Sequence, residues 1–500
     1  MSTRVYKTLL LVTTVILLVV SSNAQRSLNK WRDTLGFTRN ATLKNAPPVL
    51  VLTTQVLGGF RGLIANALWV RAMELQENDR YFEMVQLADW ITKLQPHINT
   101  VWIVQAWNMS YNISIKFSEP ADRWQWVKRG IELLRDEALK FNPHEVLLYR
   151  ELAWHFQHKM GHNLDDAHMY FKNVWAHEME AVFGGPKPDF EALINPQTDD
   201  ARKRAGILRE KYKMDPAKMK QVEERYGPLE WRLPESHAIY WANIGRENAR
   251  TKNDLIQLRR GVYQSMQLAF HRGRLIETKI EGTIRFGPNL DIIPKVNATY
   301  EEMMAEDAEM RDHISIAHRN FLLDSVYFLY TYNRTRDAQK WFDEIKKRYP
   351  DRVPQQASLV DYVLSRLNED VGETDMNRIT AHLSGLLSQA YYNLALGDDD
   401  QYQGLFLLAK KVHERYQGKI LKGPSAQRVG LPAWEEFQRQ SITNMLDPDR
   451  GLQPVLAAQL RTALGLPAAT PPTGTNATPE VSSGPAAPSG ATNAPAQPPK

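Results

Sequence analysis

The densest grouping of residues able to do chemistry lies between His155 and His177, where five of the thirteen histidines fall. His155, His158 and His162 are spaced by three and four residues, which places side chains on one face of an unbroken helix. Three imidazoles on one face could bind a divalent metal, with Glu178 or Asp165 completing the shell. Against that reading, Gly161 is placed to end the helix before His162. A helix packed on both sides also leaves its histidines to bond carbonyls and core groups. The sequence therefore favours no metal, with the three histidines as the alternative ligand set. His177-Glu178-Met179-Glu180-Ala181 opens like a zincin helix but lacks the second histidine, so that chemistry fails.

Other motifs are excluded more simply. Cysteine is absent, which removes disulfides, thiolate metal sites, thiol nucleophiles and a cysteine-borne lipid anchor. Gly58-Gly59-Phe60-Arg61-Gly62 has neither the Lys-Ser/Thr pair of a phosphate loop nor dinucleotide-binding spacing. Its glycines instead permit close packing where an apolar lead-in, Pro47 to Leu57, meets the first repeat helix. No glycine-serine-glycine elbow occurs, and no cofactor is expected. The net charge of +5 is the small remainder of many charges of both signs, too small an excess to argue for nucleic acid.

The elements that must position these residues are helical. Val127, Ile131, Leu134, Ala138 and Phe141 fall on one stripe, as do Ala338, Trp341, Phe342, Ile345 and Tyr349, and Leu405, Leu408, Ala409, Val412 and Tyr416. Punctuation repeats as well. Asn78-Asp79-Arg80-Tyr81 opens a helix closed by Pro96, Asn333-Arg334-Thr335 opens one closed by Pro350, and a longer segment runs from Asp122 to Pro143. The only good hairpin candidate lies within residues 282–295, where Thr283-Ile284-Arg285-Phe286 and Leu290-Asp291-Ile292-Ile293 flank Gly287-Pro288-Asn289. An ornate loop capping its neighbours is the favoured reading there.

Asn78 to Pro96, with its turn, aromatic, small Ala88 and closing proline, resembles the second helix of a tetratricopeptide repeat. Trp241, Ile244 and Gly245 match the first helix, and Tyr149, Leu152, Ala153 and Phe156 match it with alanine for glycine. The resemblance covers five to six degenerate units from about Asn66 to Gln417 and departs from the usual 34-residue period. It implies an all-α fold, an α-α superhelix (solenoid) of helical pairs with one small hairpin or loop insertion. It also implies that first helices line a concave wall, which carries Trp69, Met73, Trp107, Arg150 and Trp154 toward a partner-binding groove. The lysine and asparagine of a carboxylate clamp appear here as Trp69 and Met73, so capture of a free peptide C-terminus by a clamp is not expected. The whole chain is similar to exported or membrane-anchored repeat proteins of bacteria, a resemblance that supplies no activity.

The ends set the address and the boundaries. Arg4 and Lys7 precede an apolar run from Leu9 to Val20 and the small-x-small ending Ser22-Asn23-Ala24, the pattern of a signal peptide cleaved after Ala24. The rival is an uncleaved anchor through the charge-free residues 8–25. Both place the bulk of the chain in the periplasm or cell envelope; the second tethers it to the inner membrane. Residues 25–64 form the lead-in, 65–183 an N-terminal repeat region, 184–232 an insertion with polar helices, and 233–466 a C-terminal repeat region. Residues 467–500 contain nine prolines and no aromatic residue, a composition that reads as a disordered tail.

The function this implies is a non-catalytic protein-protein scaffold that binds a polypeptide in a groove. The alternative is an all-α carbohydrate-active enzyme or glycan-binding protein with an aromatic-lined cleft. That reading needs two carboxylates across the cleft, one with a raised pKa, and no spacing in the sequence selects such a pair. Arg246 to Arg274 is rich in basic residues and Glu301 to Asp312 in acidic ones. They read either as docking faces or as helix faces that neutralise each other.

Overall fold

A computed structural model describes residues 3–34, 61–277, 284–351, 353, 355–368, 376–420, 431–448 and 451–468. The lead-in from Pro47 to Leu57, the glycines Gly58 and Gly59, and the tail from residue 469 onward lie outside these. The described chain is mostly helical, with one two-stranded sheet.

Helix α1 (Thr3–Thr34) runs without a break past Ala24, and residues 12–28 are exposed along it. Among the described residues, no helix is long and apolar enough to cross a membrane. Helices α2 (Arg61–Glu77) and α3 (Tyr81–Leu94) form a tight pair. Next come α4 (Asn99–Trp107), which continues through a π-helical turn at Asn108–Ile113, and α5 (Pro120–Glu132), which continues through a π-helical turn at Leu133–Ala138 to Phe141. Helix α6 (Val146–Trp154) likewise continues into a π turn at His155–Gly161, and α7 (His168–Phe183) follows. Each π turn carries its helix smoothly onward, since the residues at its ends keep right-handed helical backbone angles up to the final C-cap.

The same corner is built twice, far apart in sequence. Asp79 and Asn333 adopt left-handed backbone conformations, with φ of 57° and 58°. Each lets the next residue close the preceding helix: Arg80 N–H donates to Leu75 O at 2.8 Å, and Arg334 N–H to Leu329 O at 2.8 Å. Each arginine then pairs with an acid three residues on, Glu83 or Asp337, in the first turn of the next helix. The Asn-Asp-Arg and Asn-Arg-Thr signals in the sequence are these corners.

The segment 184–232 holds α8 (Phe190–Ile194), α9 (Asp199–Glu210) and α10 (Pro216–Tyr226). Thr198 caps α9 through Ala201 N–H, and Asp215 caps α10 ahead of Pro216. Although these helices are polar in sequence, Leu208, Tyr212, Met219, Tyr226 and Trp231 are buried in the main core. Helix α11 (Pro234–Arg246) then packs lengthwise on α12 (Lys252–Arg272) and also on α6. A capping box between Thr251 and Asp254 starts α12.

The small sheet corrects the reading of residues 282–295. Strand β1 (Arg274–Glu277) pairs antiparallel with β2 (Ile284–Gly287), Leu275 facing Phe286, so the partner strand precedes the expected segment. Leu290–Ile292 forms a 3-10 turn running into α13 (Ile293–Glu306), where Pro294 occupies the first turn and fixes helical geometry. Helices α14 (Arg311–Thr331) and α15 (Thr335–Arg348) make the second corner pair. Beyond them lie α16 (Leu359–Asn368), the long pair α17 (Met376–Leu396) and α18 (Asp399–Ile420), and α19 (Trp434–Met445) and α20 (Pro454–Ala463), both packed on α17.

The two charge runs meet. Arg246 lies 3.6 Å from Glu302, and Arg259 pairs with Glu306 and, at 3.8 Å, with Asp307. Two bases of the first run thus pair with three acids of the second, where α11 and α12 meet α13.

Candidate functional site

The side chains most able to engage a ligand are rings at the ends of α4 and α6. Trp107 stacks on Tyr111 with centroids 4.3 Å apart, and Trp154 stacks on His158 at 4.4 Å. Both are i, i+4 pairs, the spacing that superposes side chains on a helix face. The helices pack side by side, and a hydrogen bond of 3.0 Å between the Tyr111 hydroxyl and His158 Nδ1 ties the two pairs into a four-ring ladder. Burial, reinforced by the Glu151 charge, pushes the Tyr111 phenol well up, so it stays protonated and donates. Burial, then neighbouring His162, lowers the His158 pKa and keeps the ring neutral as its acceptor. Lys159 Nζ sits 5.0 Å from the Tyr111 ring centre and pairs with buried Asp165 at 2.6 Å.

Trp107 and Trp154 open into a cleft of about 660 Å³, a size suited to a ligand or a few residues of extended chain. Its near wall carries Trp107, Arg150, Trp154 and Gln157, its far wall is α12, and the turn between α13 and α14 closes one end. Trp107 is 42% exposed. Arg150 is held in place, donating to Gln257 of α12 and, at 2.6 Å, to Glu151. Gln157 reaches Gln264 at 3.3 Å across the floor. The cleft also presents Arg260 and Glu309, for which no ion pair forms among the described residues.

Of the residues assigned to a groove from sequence, Trp107, Arg150 and Trp154 line this one cleft. Trp69 and Met73 do not. They border a narrow crevice between α2, α3 and α4, beside Ala72, Met84 and Val101. The sequence reading missed Tyr111, Arg260 and Glu309; the i, i+4 spacing of Tyr111 from Trp107 was the available signal.

The three histidines do not converge. His155 is fully buried, its Nδ1 2.8 Å from Glu151 O, and burial drives its pKa down. Asp165 is engaged by Lys159 and Arg123, while Glu178 is engaged by Lys128, Lys211 and Tyr212. Among the described residues, no group of three His, Cys, Asp or Glu side chains is arranged to hold a metal ion.

A second cleft, about 800 Å³, lies between α3 and α5 and is acidic, with Trp126, Asp89, Asp136 and Glu137 on its walls. Burial, then repulsion from Asp89, raises the Glu137 pKa. Asp89 is paired with Lys93 at 2.6 Å, and Asp136 is clamped by Arg135 through two bonds of 2.7 Å.

No protein-family profile, no curated protein and no solved structure matches the chain.

Proposed function

We propose that the chain is a non-catalytic scaffold of the bacterial cell envelope that holds an extended polypeptide in the cleft between α6 and α12. The observation that carries this reading is the pair of partly exposed tryptophans, Trp107 and Trp154, each backed by a stacked ring and opening into one cleft beside a fixed arginine. Rings braced from behind give contact area at little cost in lost rotamer freedom, the property of binding hot spots. Polar groups around them, Asn253, Gln257 and Gln264, suit the carbonyls and amides of an extended backbone. The tetratricopeptide-like superhelix and the export signal belong to the same proposal, supported by the repeated corner at Asp79 and Asn333 and by the leader pattern before Ala24.

Glycan binding or processing is the second reading, favoured by one observation, the raised pKa of Glu137 beside Trp126 in the acidic cleft. Affinity capture from envelope extract separates the two. Trp107→Ala and Trp154→Ala chains with wild-type helicity should each bind the captured polypeptide at least about tenfold more weakly, a hot-spot loss. Lys340→Ala, at an exposed position of α15, should bind normally. If both tryptophan variants fold and capture as well as wild type, the cleft is not the binding site. If glycans rather than polypeptides elute from the wild-type chain, the second reading takes over.

A further inference from the structure

The spacing of packed helices behind the cleft matches a proline repeat in this chain's tail. Trp107 and Trp154 stand on directly packed neighbouring helices, whose axes are separated by about 8–10 Å in such contacts. A polyproline-II strand advances about 9.3 Å per three-residue turn, with its carbonyls unpaired and facing outward. Two prolines three residues apart can therefore lie on two tryptophan faces borne by adjacent helices, while cleft amides bond the carbonyls between them. Asn253 is exposed in the cleft, its side chain makes no hydrogen bond among the described residues, and it is free to make one. Glu309 waits at the closed end without an ion pair among the described residues.

Two segments of the tail have this spacing, Pro485-Ala486-Ala487-Pro488 and Pro495-Ala496-Gln497-Pro498-Pro499-Lys500. Only the second carries a cation beside its prolines, a charge that suits Glu309 in the cleft. We propose that the cleft is a polyproline-II site and that its resident occupant is this chain's own Pro495–Lys500. Pro495 and Pro498 lie on the tryptophan faces and Lys500 lies against Glu309. The assignment rests on the cleft being a site for extended polypeptide, as argued above.

The tail is long enough. From α20 the packed helices lead through α17, α18, α14 and α13 to α12, each touching the next, five steps of about 10 Å or some 50 Å in all. Residues 467 to 495 in polyproline-II conformation reach about 90 Å. Tethering gives the tail an effective concentration on the order of millimolar. A weak site is then filled within the chain until a partner segment with better contacts displaces it.

The absence of cysteine makes the test direct. In the full chain, Asn253→Cys and Ala496→Cys are introduced together and treated with a short bis-maleimide. Intrachain cross-linking should run at least about tenfold faster than in a chain carrying Lys340→Cys and Ala496→Cys, and adding Pro495→Ala and Pro498→Ala should return it to that control rate. Equal rates in the two pairs, or a product composed only of linked dimers, would overturn the assignment. The capture experiment then tells the two ideas apart. If cross-linking is at the control rate and Trp154→Ala still loses its captured polypeptide, the cleft reading stands and only the tail assignment falls. If Trp154→Ala also captures normally, both fall.

Discussion

His237 and His318 are the side chains through which acid should reach the core. His237 is fully buried, its Nε2 2.9 Å from Trp231 O and its ring stacked on Phe156, and burial lowers its pKa to about 4. His318 is buried between the Tyr349 hydroxyl at 2.9 Å and Asn297 Oδ1 at 2.7 Å, and burial lowers it to about 4 as well, with Arg348 adding to the effect. In the unfolded chain both rings titrate near their ordinary value of about 6.5. Between that pH and about 4 the unfolded state binds protons that the folded state refuses, so stability present above pH 6.5 is lost as pH falls toward 4. Each ring accounts for roughly 3 kcal/mol of that loss. Replacing His318 with Gln, which can keep one of the two bonds, should flatten the fall in urea midpoint between pH 6.5 and 4. An unchanged slope would show that the ring charges freely in the folded chain. At this scale the sequence was legible where a residue's neighbours on its own helix decide its direction, as with Trp107 and Trp154. It was less legible where packing from other elements decides: His155 keeps the ordinary helical bond to Glu151 O, and its burial depends on what packs against that face.

Helix pairs approach each other most closely at glycines, and here the prediction concerns elements. A Cβ at Gly245 would lie 2.8 Å from Tyr149 Cβ and 2.9 Å from Leu258 Cδ2, so α11 is wedged between α6 and α12 at that point. A Cβ at Gly130 would lie 2.8 Å from Ala106 O, a backbone atom that cannot swing aside, where α5 crosses α4. Alanine normally favours a helix by about 1 kcal/mol over glycine, so a clash is needed to reverse the sign. Gly245→Ala and Gly130→Ala should each lower stability by about 1–3 kcal/mol, whereas Gly206→Ala, with open space around it on α9, should be neutral or stabilising. Denaturant midpoints decide the matter; a stabilised Gly245→Ala chain would mean that the three helices are not in close contact. Gly245 was legible as a close-approach position because its neighbours Trp241 and Ile244 mark the buried side of its helix. Gly130 was not, since the residues it must accommodate, Ala106 and Ser110, come from a helix twenty or more positions away. The strand pairing of Arg274–Glu277 escaped for a related reason. Those residues directly follow a long helix without any turn signal beyond Gly273, and their partner lies across residues 278–283.

Across the whole molecule the apolar interior is divided unequally, and this bears on how it opens. One cluster runs from Trp102 in α4 to Leu460 in α20 and takes in the insertion between residues 184 and 232. A second, small cluster of Ala65, Ala72, Leu75, Met84, Ile91 and Val101 holds α2 and α3 together. The polar appearance of the insertion in sequence concealed that it belongs to the larger cluster. Its helices show the solvent one charged face while Tyr212, Tyr226 and Trp231 fill the interior, and periodicity in short helices is too brief to show both faces. Local opening costs less free energy where fewer apolar contacts are broken. The α2–α3 pair should therefore exchange its amide hydrogens by opening on its own, while α11 and α12, buried against α6, exchange only with global unfolding. In native-state hydrogen exchange at rising urea, peptides from Arg61–Leu94 should show a lower opening free energy and a smaller denaturant slope than peptides from Pro234–Arg272. The aromatic ladder sits on the stable side of that boundary, since Trp107, Tyr111, Trp154 and His158 belong to elements of the larger cluster. A chain whose α2–α3 pair has opened should thus retain the cleft. If both regions exchange with one opening energy and one slope, the two clusters unfold as a single unit, and the cleft does not outlast the loss of its first helical pair.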